Sequence, residues 1–478
     1  MRVRRGRDIS ASEGTEDVDH PESLRGERVA PAPGPLSAEP RPGSIGRLSA
    51  GGIATTFAIQ AMSFASGILI TRALGPEARG IYFLILTFVS VVTVIGTLGL
   101  PNANSVFVAQ RRYALGSLHA NSVAAALGLS ACILAGYGVS HTWLSASILA
   151  GVPVSYIVWG LAQTPFLLYE NFATGVAIGV GEVGRYNWLQ LARSAVSTVL
   201  VAGLFVLNTL DLPALLATWT LTNLLVAAML VRILQSHSDA PLRLSWHALR
   251  DALGFGVKVH LGGIATIIWQ RFDSFFLNAT HGTAAVGQYS LAVTVTEGLW
   301  RIVGPVVNAI QRPVVSVGGA EALALTQRVL RHVLCVLSIL GGILGLTAHW
   351  LIPALYGTAF APAVPAARLL LLGTIGVGLA MVMSVYFVGV LDRGGMLSSL
   401  AWVNAVLNIV GCVILIPPMG VWGAALASAV TYVFGTVVVL VLFRGMTKSR
   451  WVDLLILRRR DLTDYGVLIR SLTRGPRG

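Results

Sequence analysis

The sequence is short of charge. Only 12% of its 478 residues are Asp, Glu, Lys or Arg, against 55% hydrophobic residues. A soluble domain carries roughly twice that charged fraction, because its core must end at a polar surface. Too few charges are present to build such a surface, so a water-soluble globular fold is excluded. Length therefore does not convert into a count of soluble domains. Cysteine is scarce as well: Cys132, Cys335 and Cys412 each sit alone in an apolar run. Without a second Cys or His at ligand spacing they read as thiols inside helices, not as a disulfide or metal framework. No GxxxxGK[ST], HExxH or CxxC pattern occurs, which argues against ATP drive within the chain and against a metal site. No cofactor is expected. Residues 179–184, GVGEVG, match GxGxxG in form. That fingerprint needs a preceding strand and a βαβ unit, and here it joins two apolar runs.

What the chain has is hydrophobic length. Mean hydropathy is +0.74, and apolar runs follow one another from residue 48 to 443. A spanning helix needs about 20 mostly apolar residues, because lipid satisfies no free backbone group. Twelve such spans are predicted: 49–71, 81–108, 116–139, 144–168, 187–208, 213–233, 255–279, 286–311, 328–352, 366–390, 397–416 and 421–443. Pro153, Pro165 and Pro305 fall inside the fourth and eighth and suggest kinks there. The fold class is all-α integral membrane.

The net charge of +13 does not signal nucleic acid, given where it lies. Residues 1–47 balance eight basic against eight acidic side chains and read as a disordered cytoplasmic tail rich in Pro, Gly, Glu and Arg. From Arg444 onward there are nine Lys/Arg and three Asp, so residues 445–478 form a basic tail whose fitting partner is anionic lipid. Basic residues also crowd one set of short loops (Arg111, Arg112, Arg185, Arg232, Arg243, Arg250, Lys258, Arg312, Arg328, Arg393). The opposite loops offer chiefly Arg72, Arg79 and Arg368. The basic side is cytoplasmic by the positive-inside rule, which places both termini inside the cell membrane.

The chain is duplicated. TRALGPEARGIYF at 71–83 and HGTAAVGQYS at 281–290 share Gly, four residues, Gly, one residue, Tyr. Gly75, Gly80 and Tyr82 match Gly282, Gly287 and Tyr289 at one offset, 282 − 75 = 207. Gly179, Glu182 and Gly184 match Gly389, Asp392 and Gly394 at 210. Two six-helix bundles, 48–234 and 255–444, thus form a parallel repeat. An amphipathic cytoplasmic linker, 235–254, joins them with Leu244, Trp246, Leu249 and Leu253 near one face, suited to lie on the membrane surface. The glycines of the two hairpins are explained by turn geometry.

Charges inside the spans are costly and mark a cavity or a partner. Arg271 and Asp273 fall in the seventh span, Glu297 and Arg301 at i, i+4 in the eighth, Arg193 in the fifth, Glu170 near the end of the fourth, and Arg72 at the end of the first. Either they line a hydrophilic cavity for an anionic, polar substrate, or they are ion pairs and rim residues that fix helix packing. The sequence leaves both open.

At the hairpin motif, followed by GTLGLPNANSVFVAQ (96–110), the chain resembles polysaccharide flippases of the multidrug/oligosaccharidyl-lipid/polysaccharide exporter superfamily. RFDSFFLN with VGQYSLAVTVTEGLWRI, LYGTAFAPAVPAARLLLL (355–372) and MGVWGAALASAV (419–430) extend the resemblance over both halves. It implies two bundles around a central cavity that opens alternately to either face. The implied substrate is an undecaprenyl-pyrophosphate-linked oligosaccharide moved to the outer leaflet. Glycosyltransferases and a polysaccharide polymerase are its implied partners. By the same resemblance Arg271, Asp273 and Glu297 become cavity candidates, with Arg301, Arg193 and Arg72 beside them. A cation-coupled multidrug antiporter of the same superfamily is the alternative. A membrane-embedded enzyme would need a long outward loop for its catalytic residues, and none is present.

Overall fold

The computed structural model describes residues 42–237, 242–458 and 461, apart from the side chains of 42–53, 258 and 259. The segment read as a disordered tail, up to residue 41, and the chain end from 462 lie outside the described residues. Among the described residues there are fourteen α-helices, one short 3-10 turn and no strand. Eight helices are long and apolar enough to cross a membrane, nine if a helix pair bent by 54° counts as one span. Their outer surface is apolar, with Val139 88% and Leu346 76% exposed. Water would make such a surface an aggregation site, whereas hydrocarbon matches it.

The first of these helices, Ala54–Gly96, has 43 residues. At 1.5 Å per residue a straight helix of that length reaches ~65 Å, about twice the hydrocarbon thickness. It belongs to α1 (Pro42–Gly96), which breaks at Gly75 with φ 67° and ψ 179°. The corresponding α8 (Trp246–Arg301) breaks at Gly282 with φ 80° and ψ 177°. Positive φ with extended ψ is open essentially to glycine alone. The twelve-span expectation takes both breaks as turns; length and composition alone give the smaller count.

The second glycine of the motif does something other than turn the chain. A Cβ on Gly80 would lie 1.8 Å from the carbonyl oxygen of Thr283, and one on Gly287 would lie 1.8 Å from that of Pro76. Residue 287 is 80 + 207 and residue 283 is 76 + 207, so each half makes on the other the contact it receives. Turn geometry thus accounts for Gly75 and Gly282 only. Asn278 reinforces this hairpin end by donating to the carbonyls of Ile148 (3.1 Å) and Ala150 (2.9 Å).

Between these breaks the first half continues through α2 (Leu100–Ala109), α3 (Leu115–Ala146), α4 (Val154–Leu161), α5 (Thr164–Gly179), α6 (Val183–Val206) and α7 (Leu212–Gln235). The second half continues through α9 (Val303–Val317), α10 (Gly319–Tyr356), α11 (Ala363–Gly389), α12 (Gly394–Met419) and α13 (Val421–Thr447). The predicted fourth span, 144–168, is corrected. Residues 147–153 form a turn, Pro153 is the N-cap of α4, and Pro165 lies in the first turn of α5. Proline is tolerated at a helix start, where no N–H is required, so Pro153 begins α4 after the turn, while at Pro165 the chain stays right-handed helical through Ala162 and Gln163 and is kinked as expected.

The linker also differs from its expected surface-lying face. Leu244 and Trp246 are 70% and 73% exposed, but Ala248 and Ala252 are fully buried. Those alanines, with Leu249 and Leu253 beside them, pack against Leu100, Phe107 and Leu118 of the first half. Polar pins hold the same stretch: Asn121 exchanges hydrogen bonds with the Ser245 backbone (2.8 and 3.0 Å), and the Tyr113 hydroxyl donates to Asp251 (2.6 Å). A Cβ on Gly99 would lie 2.1 Å from the Gly256 carbonyl oxygen.

Beyond α13, the basic tail is anchored as far as it is described. In α14 (Trp451–Leu455), Leu454 is fully buried. Arg331 of α10 donates to both carboxylate oxygens of Asp461 (2.7 and 2.9 Å). The Arg331 guanidinium holds the Asp461 carboxyl down at about 2.

The interlock at the hairpin end is testable. A short bismaleimide should join Ala150→Cys to Asn278→Cys in the otherwise native chain. Gly80→Val or Gly287→Val should cut that yield about tenfold, because the opposing atom is backbone and cannot rotate away. Unchanged crosslinking in both valine variants would show that the contact is dispensable.

Candidate functional site

A cavity of about 520 Å³ opens in the first half. Its wall follows from helical spacing, since residues three or four apart share a face. Ser63, Ser66 and Ile70 come from α1, Gln190, Arg193, Ser194, Ser197 and Thr198 from α6, and Thr218, Trp219 and Thr222 from α7. Tyr82, the third motif position, completes it from the far side of the α1 break. The second half contributes Arg301. Ile59, Leu86, Val201 and Leu215 add apolar wall, so hydroxyl and apolar side chains share the lining, and among the described residues its charged lining side chains are Arg193 and Arg301. These hydroxyls carry no charge and do not stand out from composition. The available signal was Ser/Thr at 63, 66, 194, 197, 198, 218 and 222 in helical register.

The structure gathers three predicted residues into one group. Arg271 donates to both oxygens of Glu297 (3.0 and 3.4 Å), and Arg301 donates to Glu297 from the next turn (2.9 Å). Two guanidiniums on one carboxylate leave one positive charge in excess. Arg271 and Glu297 are largely buried, while the Arg301 side chain is 44% exposed. Excess charge thus surfaces at Arg301, on the chamber edge.

Of the other candidates, Arg193 and Arg72 stand apart from that group, while Asp273 shares no hydrogen bond with it but lies within reach of the Arg271 charge. Arg193 lines the chamber, but bonds Glu170 through both carboxylate oxygens (3.0 and 2.8 Å), and Gln190 adds a third bond at 2.7 Å. Asp273 lies in the second half's interior, 1% exposed. It accepts from the Ser274 backbone (2.6 Å), the Ser274 and Ser428 hydroxyls (3.0 and 2.7 Å) and the Tyr289 hydroxyl. It does not line the chamber. Arg72 is at the hairpin end, donating to the carbonyls of Leu355 (2.6 Å) and Ala354, and so ties the halves together. Arg79, expected on an outward loop, is 7% exposed. It donates to Thr71 and, across the halves, to Thr294 at 3.3 Å. Among the described residues no three His, Cys, Asp or Glu side chains converge as a metal site.

Known proteins resemble the chain in both sequence and fold. The model of the family described as polysaccharide biosynthesis protein matches residues 69–365, more than half of the chain. No curated protein matches. Among solved structures, an inward-facing multidrug resistance MATE family transporter of the MOP superfamily has a TM-score of 0.64 at 16% identity, covering 83% of this chain and 98% of its own. A MOP superfamily transporter from Pyrococcus furiosus has a TM-score of 0.60 at 14% identity, covering 85% and 95%. A Vibrio cholerae MATE transporter has 0.59 at 13%, covering 86% and 98%. At such identities these structures establish the fold. The chain belongs to the polysaccharide biosynthesis protein family and is a multi-pass membrane protein with the fold of MOP superfamily transporters.

Proposed function

We propose that the protein is a flippase that moves a lipid-linked oligosaccharide of the undecaprenyl-pyrophosphate type to the outer leaflet, by alternating access, for cell-surface polysaccharide. The observation that carries this reading is the excess positive charge of Arg271, Glu297 and Arg301 at the edge of a hydroxyl-lined chamber. A diphosphate offers several acceptor oxygens, and guanidinium groups match them with several donors. A sugar chain needs polar walls, while its lipid tail stays in the bilayer. Organic-cation antiport, the alternative, calls for acidic lining, whereas the charged lining side chains described are both arginines. In this reading both termini face the cytoplasm of a cell membrane, glycosyltransferases supply the substrate and a polymerase consumes the product. The hairpin end then faces outward, and the interlock of Gly80 and Gly287 closes the outer side.

Deleting the gene should accumulate inward-facing lipid-linked sugar, read by protection from an impermeant periodate or lectin probe. Normal export in a deletion strain without a paralogue would sink the proposal.

Arg271→Ala leaves Glu297 paired with Arg301, so the variant should insert normally. Its export should fall about tenfold, the order of one charge-assisted hydrogen bond. Export at the parental rate would return Arg271 to a packing role. Glu170→Gln is expected to do less, because it leaves the excess charge at Arg301 in place. A drop as large as that of Arg271→Ala would move the anion site to Arg193.

A further inference from the structure

We infer that the sugar next to the diphosphate is held by the first-half chamber alone and is uncharged, an inference that rests on the flippase reading above. The duplication supplies the argument. Adding 207 carries Ser66 to Asp273 and Tyr82 to Tyr289, and adding 210 along the fifth and eleventh spans carries Thr198 to Asn408. In the first half these positions line an open chamber of about 520 Å³. Their counterparts in the second half are buried, Asp273 1% exposed and Tyr289 and Asn408 fully so, and they pack with the fully buried Ser428 of α13. Tyr289 and Ser428 both donate to Asp273, and Asn408 donates to Ser428 at 3.4 Å. Beside this cluster the ring of Tyr432 meets Trp269, centroids 5.2 Å apart. One copy of the repeat is thus self-satisfied and closed, and the other keeps its polar groups turned to a void.

The polar groups of the open copy suit a neutral polyol. Ser63, Ser194 and Ser197 line it with their hydroxyls free, Ser66 and Thr198 bond one another (2.9 Å) and the Met62 carbonyl (3.0 and 3.4 Å), and Thr218 and Thr222 bond carbonyls of their own helix. Each hydroxyl keeps acceptor or donor capacity for a ligand. Trp219 adds a flat aromatic face, on which the C–H face of a pyranose ring can stack. Charge is already balanced along the wall, since Arg193 is neutralised by Glu170. Arg301, with one hydrogen bond to Glu297, is the exposed cation at the chamber edge and marks the diphosphate end. A uronic acid deeper in the chamber would meet no unpaired lining cation, and an amino sugar would be repelled at the Arg301 end.

The test uses the full chain in lipid nanodiscs and three radiolabelled probes. These are a polyprenyl diphosphate, the same lipid carrying a neutral disaccharide, and the same lipid with a uronic acid as first sugar. The neutral disaccharide should tighten binding about tenfold over the bare diphosphate, from a few added hydrogen bonds and one ring contact. Trp219→Ala and the chamber-filling Ser197→Phe should each abolish that gain and leave the affinity for bare polyprenyl diphosphate within about twofold. Ser194→Ala, which keeps packing intact, should remove part of it. The inference is overturned if the sugar adds nothing, if its gain survives in Trp219→Ala and Ser197→Phe, or if the uronic-acid probe binds more tightly than the neutral one. Failure of bare polyprenyl diphosphate to bind at all would instead bring down the flippase reading, and this inference with it.

Discussion

The two halves meet where carbonyl oxygens stand in the space of missing side chains. Gly80 on Thr283 and Gly287 on Pro76 are backbone against backbone, and no rotamer change relieves a clash with backbone. Membrane helices associate without a hydrophobic drive, so close approach through small residues supplies much of the contact. Because the same pair of contacts occurs twice, related by one offset, closure at the hairpin end is shared equally by the halves. It also buries Arg79, whose acceptors among the described residues are threonine hydroxyls. Burying a guanidinium without a carboxylate is costly. The closed hairpin end therefore combines a favourable backbone contact with an opposing desolvation term.

Symmetry of the scaffold contrasts with asymmetry of the chemistry. Both halves descend from one pattern, yet the excess charge is in the second half and the hydroxyl chamber in the first. Asp273 shows how that divergence is stabilised. This buried carboxylate is tolerated because four donors, from Ser274, Tyr289 and Ser428, surround it and the Arg271 charge lies within reach. The same four-sided satisfaction removes it from the chamber.

Much of this was legible in the sequence. Low charge with long apolar runs gave the class, and the repeated Gly–Gly–Tyr spacing located the duplication, the breaks at Gly75 and Gly282 and, unknowingly, the interlock. The Glu297–Arg301 pair followed from i, i+4 spacing, because helix geometry alone decides it. The Arg271–Glu297 bond did not follow, because the two residues are 26 apart on either side of a break and their meeting depends on how the helices pack. For the same reason Asp273, two positions from Arg271, looked equivalent to it, although the helix turns the two side chains to different faces. The hydroxyl wall was passed over because Ser and Thr are common in membrane helices and cost little there. Only their register across three helices distinguishes them. The fourth span was misplaced because apolar composition continues across the turn at 147–153, where Gly151, at φ 77°, and Pro153 mark the break.

Helix α8 has divided loyalties. Its first turns are pinned to the first half by Asn121, Tyr113 and the buried Ala248 and Ala252. The remainder is built into the second half through Arg271, Asp273 and the packing against α12 and α11. Between them the helix bends by 54°. A bent helix anchored on either side of its bend in different halves couples the motion of one to the other. Any rocking of the halves must be absorbed in the few residues around that bend, so the stiffness of a single helical turn sets how far the linker end can spread.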